Sequence, residues 1–126
     1  MNAMAALKQY QTVNTQAQVS DASPHRLIQM LMEGGLSRLA QAKGAMQHGQ
    51  PGAKGELISK AIGIIGGLRA GLDSQQGGEI AANLDRLYEY MVRRLVEANI
   101  GNDVAMIDEV AGLLRDVKSG WDAIGH

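Results

Sequence analysis

Four stretches of this chain repeat apolar residues every three to four positions, and the stretches are divided by clusters that break helices. That alternation leaves few folds open. The first repeat runs through Leu27, Leu31, Leu39, Ala42 and Met46, and the second through Leu57, Ala61, Ile65, Leu68 and Leu72. The third runs through Ile80, Leu84, Leu87, Met91, Leu95 and Ala98, and the fourth through Val104, Ile107, Leu114, Val117, Trp121 and Ile124. This spacing is that of a helix with one buried face. The breaks are Gly49-Gln50-Pro51-Gly52, Ser74-Gln75-Gln76-Gly77-Gly78 and Gly101-Asn102-Asp103, all dense in turn-forming residues. Ser23-Pro24 offers a capping hydroxyl followed by a first-turn proline. Gly101 is expected just past the end of a helix, with Asn102 capping the next. The predicted helices span about 24–48, 53–74, 79–100 and 103–124. Long helices joined by short connections pack antiparallel. The expected fold is therefore all-α, an up-down four-helix bundle over residues 23–126. Residues 1–22 stand apart. Ala3 to Val13 reads as a short helix carrying Leu7, Tyr10 and Val13, followed by a polar linker. Together they are expected to form a mobile arm packed over the bundle.

The totals narrow the function classes. At 126 residues with 45% apolar content the chain suits one domain, but it has no Phe and a single Trp. The core must come from Leu, Ile, Val, Met and Ala. A net charge of −1 supplies no basic field for nucleic acid or an anionic membrane. The absence of Cys removes disulfides and thiolate zinc sites and fits a reducing compartment. The first residues lack the charged and apolar regions of a signal peptide. The longest apolar run, Ala61 to Leu68, falls far short of the roughly 20 residues a membrane span needs. A cytoplasmic protein without direct membrane insertion is expected.

Catalytic patterns are missing. None of His25, His48 and His126 follows a Glu by three residues, as a di-iron bundle requires. No phosphate-binding glycine loop occurs. Asp85, Glu89 and Glu97 interleave with Arg86, Arg93 and Arg94 at helical spacing, the pattern of a salt-bridged solvent face. Trp121 continues the apolar seam of the last helix, so burial is expected for it. The reading is a binding protein with no catalytic residues, cofactor or metal.

Two features exceed what a plain bundle needs. The apolar arcs are wide, extending through Ile28, Met32 and Leu36, through Ile58 and Ile62, and through Tyr88 and Val92. A bundle helix buries a stripe of roughly 100°, so the shoulders represent surplus apolar surface for a partner. Glycine is the second feature. Nine of the glycines within the predicted helices are Gly34, Gly35, Gly44, Gly63, Gly66, Gly67, Gly71, Gly112 and Gly120. At ~1 kcal/mol each relative to Ala they sum to ~9 kcal/mol, comparable with the net stability of a domain. Either the surface tolerates glycine, or Gly63, Gly67 and Gly71 form a smooth track that a foreign helix or strand approaches closely.

The stretch from Gly78 through Ile80, Ala81, Asn83, Leu84, Leu87, Tyr88, Tyr90, Met91, Leu95, Ala98 and Asn99 to Asp103 closely resembles the flagellar secretion chaperone family FliS. The family pattern there is close to G-x-I-A-x-N-L-x-x-L-Y-x-Y-M-x-x-x-L-x-x-A-N. A second match begins at Ser23-Pro24-His25-Arg26-Leu27 and continues to Gly34, and Tyr10 matches an N-terminal tyrosine. Met32 stands where the family often has Tyr, and a Met is more adaptable and less orienting. The resemblance implies a cytosolic chaperone that binds the disordered C-terminal segment of flagellin, prevents its premature polymerisation and helps present it to the membrane export gate. It also implies an arm that occupies part of the client's groove. On this reading Met32, Leu36, Ile58 and Ile62 line the groove, Gly63 and Gly67 form the smooth track, and Leu7, Tyr10 and Val13 cover part of it in the free protein. A weak homodimer in the client-free state is a further expectation. The rival readings are a helical adaptor for another secreted protein and a phosphotransfer domain using His25 or His48.

Overall fold

A computed structural model describes residues 21–72 and 74–125. Leu7, Tyr10, Val13 and His126 lie outside the described residues. Four helices follow in order: α1 (Pro24–Gln47), α2 (Pro51–Ala70), α3 (Ser74–Gly101) and α4 (Val104–Ile124). Each packs on its neighbours in the ring α1–α2–α3–α4–α1. Cross-links pair the start of one helix with the end of the next, for example Lys54 with Asn99 and His25 with Trp121, so the bundle is antiparallel throughout.

The helix ends follow from local chemistry. Ser23 Oγ accepts the Arg26 N–H at 3.1 Å, with Pro24 in the first turn. Pro51 opens α2, two residues before the predicted start; its missing N–H costs nothing in a first turn. α2 ends at Ala70 rather than 74. The His48 Nδ1–H donates to the Gly44 carbonyl at 2.7 Å, closing α1. At the α3–α4 junction the expected roles shift by one residue. Asn102 takes the left-handed conformation with φ 53°, which Asn tolerates well. Asp103 is then the cap, its Oδ1 accepting the Ala105 and Met106 N–H groups. Helix α3 is assigned from Ser74 but kinks at Gly78 (φ 55°, ψ −127°). A Cβ on the preceding Gly77 would sit 2.6 Å from the Ala81 Cβ, so this kink needs both glycines.

The core is built as the composition requires. Leu39, Ile65, Met91, Leu95, Val110 and Leu114 are among its fully buried side chains. Gly35 lets α1 approach its neighbours, since a Cβ there would lie 3.1 Å from Leu114 Cδ2 and 3.5 Å from Ile64 Cγ2. The buried stripe of α2 runs through Ile58, Ala61, Ile65 and Leu68, whereas Leu57 and Ile62 are half-buried beside it. This corrects the expectation for Ile58. It is 1% exposed, part of the core and not among the residues that line the cleft described below. Gly67 is also buried and Gly63 half-buried, so this side of α2 is not an open track.

Electrostatic ties sit on the outside. Arg69 holds Asp85 at 2.6 Å and reaches Glu89 at 3.5 Å, linking α2 to α3. The acidic residues of α3 are thus salt-bridged as expected, although Asp85 pairs across to α2 and Arg86 bonds Asn83 within α3. Lys54 is 9% exposed. Its ammonium donates to the Asn99 carbonyl at 2.9 Å and to Asn102 Oδ1 at 3.2 Å, stabilising the carbonyl end of α3 with a positive charge. Between α3 and α4, Glu109 accepts from the Tyr90 hydroxyl at 2.6 Å and from Arg94 Nε at 2.8 Å. These bonds hold its carboxyl below the ordinary 4.5, Tyr90 contributing most and Arg94 next.

Two outcomes follow. Gly44, Gly66 and Gly112 are helical, and a Cβ at each would meet nothing within 4 Å. Replacing each with Ala should raise the unfolding free energy by about 0.5–1 kcal/mol in urea titrations. For Glu109, a folded-state pKa below the unfolded one means that its contribution is complete above 4.5 and is lost as pH falls through the folded value. The difference in Tm between the wild type and Glu109→Gln should therefore be largest near about pH 7 and shrink towards about pH 3. A constant difference would exclude the ionised carboxylate as its source.

Candidate functional site

The antiparallel order gathers the start of α1, the end of α2, the start of α3 and the end of α4 at one end of the bundle. There each helix presents an apolar pair four residues apart, so both members share a face. The pairs are Ile28 and Met32, Leu68 and Leu72, Leu84 and Tyr88, and Val117 and Trp121. They enclose a cleft of about 400 Å³, lined also by Gly71 and Gly120, with Asp116 its only charged lining residue among the described residues. This lies within the ordinary range for binding clefts. Met32, Leu68 and Tyr88 are at most 3% exposed and form the floor. Ile80 and Ile124 also line the cleft, yet they are 72% and 65% exposed. They stand at its mouth, contributed by α3 and α4.

The ties of α4 differ along its length: Lys43 with Asp108 and Gln29 with Asp122 hold it to α1 near both ends, whereas its bonds to α3 occur only near its start. Nearer its start, Glu109 joins α4 to α3 through Tyr90 and Arg94. Beyond that cluster, no hydrogen bond or ion pair among the described residues joins α4 to α3. The end of α4 is secured to α1 instead. His25 Nε2–H donates to the Trp121 carbonyl at 2.7 Å, and Trp121 Nε1–H donates to the His25 carbonyl at 3.0 Å. The two rings stack with centroids 4.7 Å apart and planes 11° from parallel. One turn of helix along, Gln29 Nε2 and Lys118 Nζ each donate to Asp122 at 2.7 Å. Both contacts, Lys118 first, hold that carboxyl below its ordinary range. Trp121 is therefore half-buried at the cleft wall and not the core residue expected from its place in the seam.

Of the described residues assigned to the client groove, only Met32 lies in this cleft, joined by Ile28 and Tyr88 from the apolar shoulders. Leu36 and Ile62 pack half-buried against the core elsewhere, and Gly63 and Gly67 lie along α2 outside it. Three residues of the motif in α3, Ile80, Leu84 and Tyr88, line the cleft. The rest of the motif has structural work. Ser23 and Asp103 cap helices and Pro24 opens one; Gly78 makes the kink. Ala81, Met91, Leu95 and Ala98 are buried, and Leu87 packs beside them. Asn83 accepts from Arg86, the Asn99 carbonyl from Lys54, and Tyr90 donates to Glu109. The sequence reading missed Leu72, Val117, Trp121 and Ile124 as cleft residues. The signal was present in the pairs four apart at helix ends that the up-down order places together.

His25 and His48 both donate to main-chain carbonyls, which gives them structural roles. No group of three or more potential metal ligands occurs among the described residues. No helix among them is long and apolar enough to cross a membrane. A four-helix scaffold with an open apolar cleft at one end and little charge inside it has the form of a helical binding module. The family model for flagellar protein FliS matches residues 6–126. The chain is 68% identical over its whole length to the flagellar secretion chaperone FliSB of Pseudomonas aeruginosa, all of which it covers. It is 48% identical to the flagellar secretion chaperone FliS of Salmonella typhimurium over 98% of this chain and 93% of that protein. With the FliS of Bacillus subtilis the identity is 35%, over 92% and 86%. The chain belongs to the FliS family of flagellar secretion chaperones.

Proposed function

We propose that the cleft at the end of the bundle receives apolar side chains of the disordered C-terminal segment of flagellin. In this reading the protein acts in the bacterial cytosol by binding alone, without catalysis. It covers surface on the flagellin tail that would otherwise drive polymerisation, and it presents the covered client to a membrane protein of the flagellar export gate. The membership in a family of secretion chaperones supports the class of client. The observation that carries the choice of site is the pair of isoleucines, Ile80 and Ile124, that line an apolar cleft and are nevertheless exposed. Large apolar side chains standing in water beside a partly enclosed apolar floor are what a partner must cover.

Energetics favour such a site. Ordering a disordered tail costs ~2–5 kcal/mol or more. Burial of apolar surface returns ~25 cal/mol per Å², so a tail must cover several side chains at once to bind tightly. A cleft contributed by all four helices offers that area on a scaffold that is already ordered, so the chaperone side adds little ordering cost.

Ile80→Asp and Ile124→Asp test the assignment, because both positions are exposed and either change should leave the fold intact. Each should weaken binding of a flagellin C-terminal segment by at least about tenfold in calorimetric titrations, the loss expected from placing an unpaired charge in an apolar contact. Their thermal midpoints should stay at the wild-type value. Wild-type affinity in both variants would move the client elsewhere on the bundle.

A further inference from the structure

We propose that Tyr88 is a polar anchor in the cleft, its hydroxyl donating a hydrogen bond to a neutral acceptor on the bound flagellin segment. The acceptor is a main-chain carbonyl or a side-chain amide oxygen. This inference rests on the reading of the cleft as the client site and adds what the client must present there.

Tyr88 is 3% exposed and lines the cleft beside Met32, Leu68 and Leu84. Its hydroxyl has no hydrogen-bond partner among the described residues. Two positions along, on the side of α3 that meets α4, the Tyr90 hydroxyl is satisfied by Glu109 at 2.6 Å. The contrast is local, between neighbouring tyrosines of one helix. Buried hydroxyls are almost always paired, and one left unpaired lowers the stability of the free protein. A Phe would fill the same space without that cost. Burial alone raises the phenol to about 12, so it stays protonated at neutral pH and is available as a donor.

The surroundings choose among acceptors. Among the described residues no Lys, Arg or His lines the cleft, and Asp116 does. A client carboxylate would enter without a counter-charge and beside a like charge, at a desolvation cost that nothing offsets. A neutral oxygen avoids both penalties. In a client helix the mid-helix carbonyls are already bonded, so a main-chain acceptor would come from its last turn, where carbonyls lack partners. Otherwise it comes from an Asn or Gln side chain.

The test compares the full chain, Tyr88→Phe and Ile80→Asp in titrations with a flagellin C-terminal segment. Tyr88→Phe should bind about threefold to tenfold more weakly, the range for one hydrogen bond between neutral groups. Its thermal midpoint without client should equal or exceed that of the wild type, because the substitution removes an unpaired hydroxyl. Replacing each Asn and Gln of the segment in turn then locates the acceptor. Loss of the Tyr88 effect at one position identifies a side-chain amide, and an effect that persists at all positions identifies a main-chain carbonyl. Wild-type affinity for Tyr88→Phe alongside weak binding by Ile80→Asp would overturn the anchor while leaving the cleft. A lowered midpoint for free Tyr88→Phe would also overturn it, since the hydroxyl would then have a partner inside the free protein. Wild-type affinity for Ile80→Asp would remove the cleft reading itself, and the anchor with it.

Discussion

The reciprocal bond between His25 and Trp121 governs the shape of the functional end of this bundle. Each ring donates to the other residue's carbonyl, and the rings stack face to face. That arrangement fixes the final turns of α4 on the first turn of α1. The Glu109 cluster fixes the other part of α4 on α3. α4 stays tied to α1 from Lys43 with Asp108 to Gln29 with Asp122, while its bonds to α3 end at Glu109, and the cleft lies beyond them. Tight packing here would bury Ile80 and Ile124 and close the site. The two attachments instead leave an apolar opening at this end of the bundle.

The proposed client cleft and the packed scaffold therefore draw on different parts of the same helices. Met91, Leu95 and Ala98 in the later part of α3 are fully buried and hold the scaffold. Ile80, Leu84 and Tyr88 in the earlier part of the same helix face the cleft. Lys54 closes the scaffold end by bonding the Asn99 carbonyl near the end of α3 and the Asn102 side chain, and the kink at Gly78 begins the cleft end. Because the opening is held by hydrogen bonds and ring stacking rather than by loops, the proposed site offers a client a surface that is already shaped. That reduces the ordering cost on the chaperone's side and leaves the cost with the disordered tail.

The bundle was legible in the sequence because helical periodicity and turn clusters are local signals, and Ser23-Pro24 marks a helix start without ambiguity. Boundaries moved where a cap could be assigned to either of two adjacent residues. Asn102 and Asp103 both suit a cap, and the left-handed turn at Asn102 decides between them. The site was less legible. A wide apolar arc does not say which edge is core, and on α2 Ile58 proved to be core while Leu57 is half-buried. Trp121 continues a buried seam in the sequence, yet its bond to His25 holds it at a cleft wall. That contact spans 96 positions, and no local pattern encodes it. The motif in α3 did carry the site, since Ile80, Leu84 and Tyr88 belong to it, but the motif alone could not separate these residues from its packing members.

Trp121 offers the most direct measurement, because it is the only tryptophan in the chain and forms part of the cleft wall. A flagellin C-terminal segment without tryptophan can be titrated while Trp121 emission and calorimetric heat are recorded together. If the tail seats in the cleft, emission should shift to shorter wavelength and saturate with the same affinity as the heat, as water is excluded from the indole. Calorimetric binding with unchanged Trp121 emission would contradict the account.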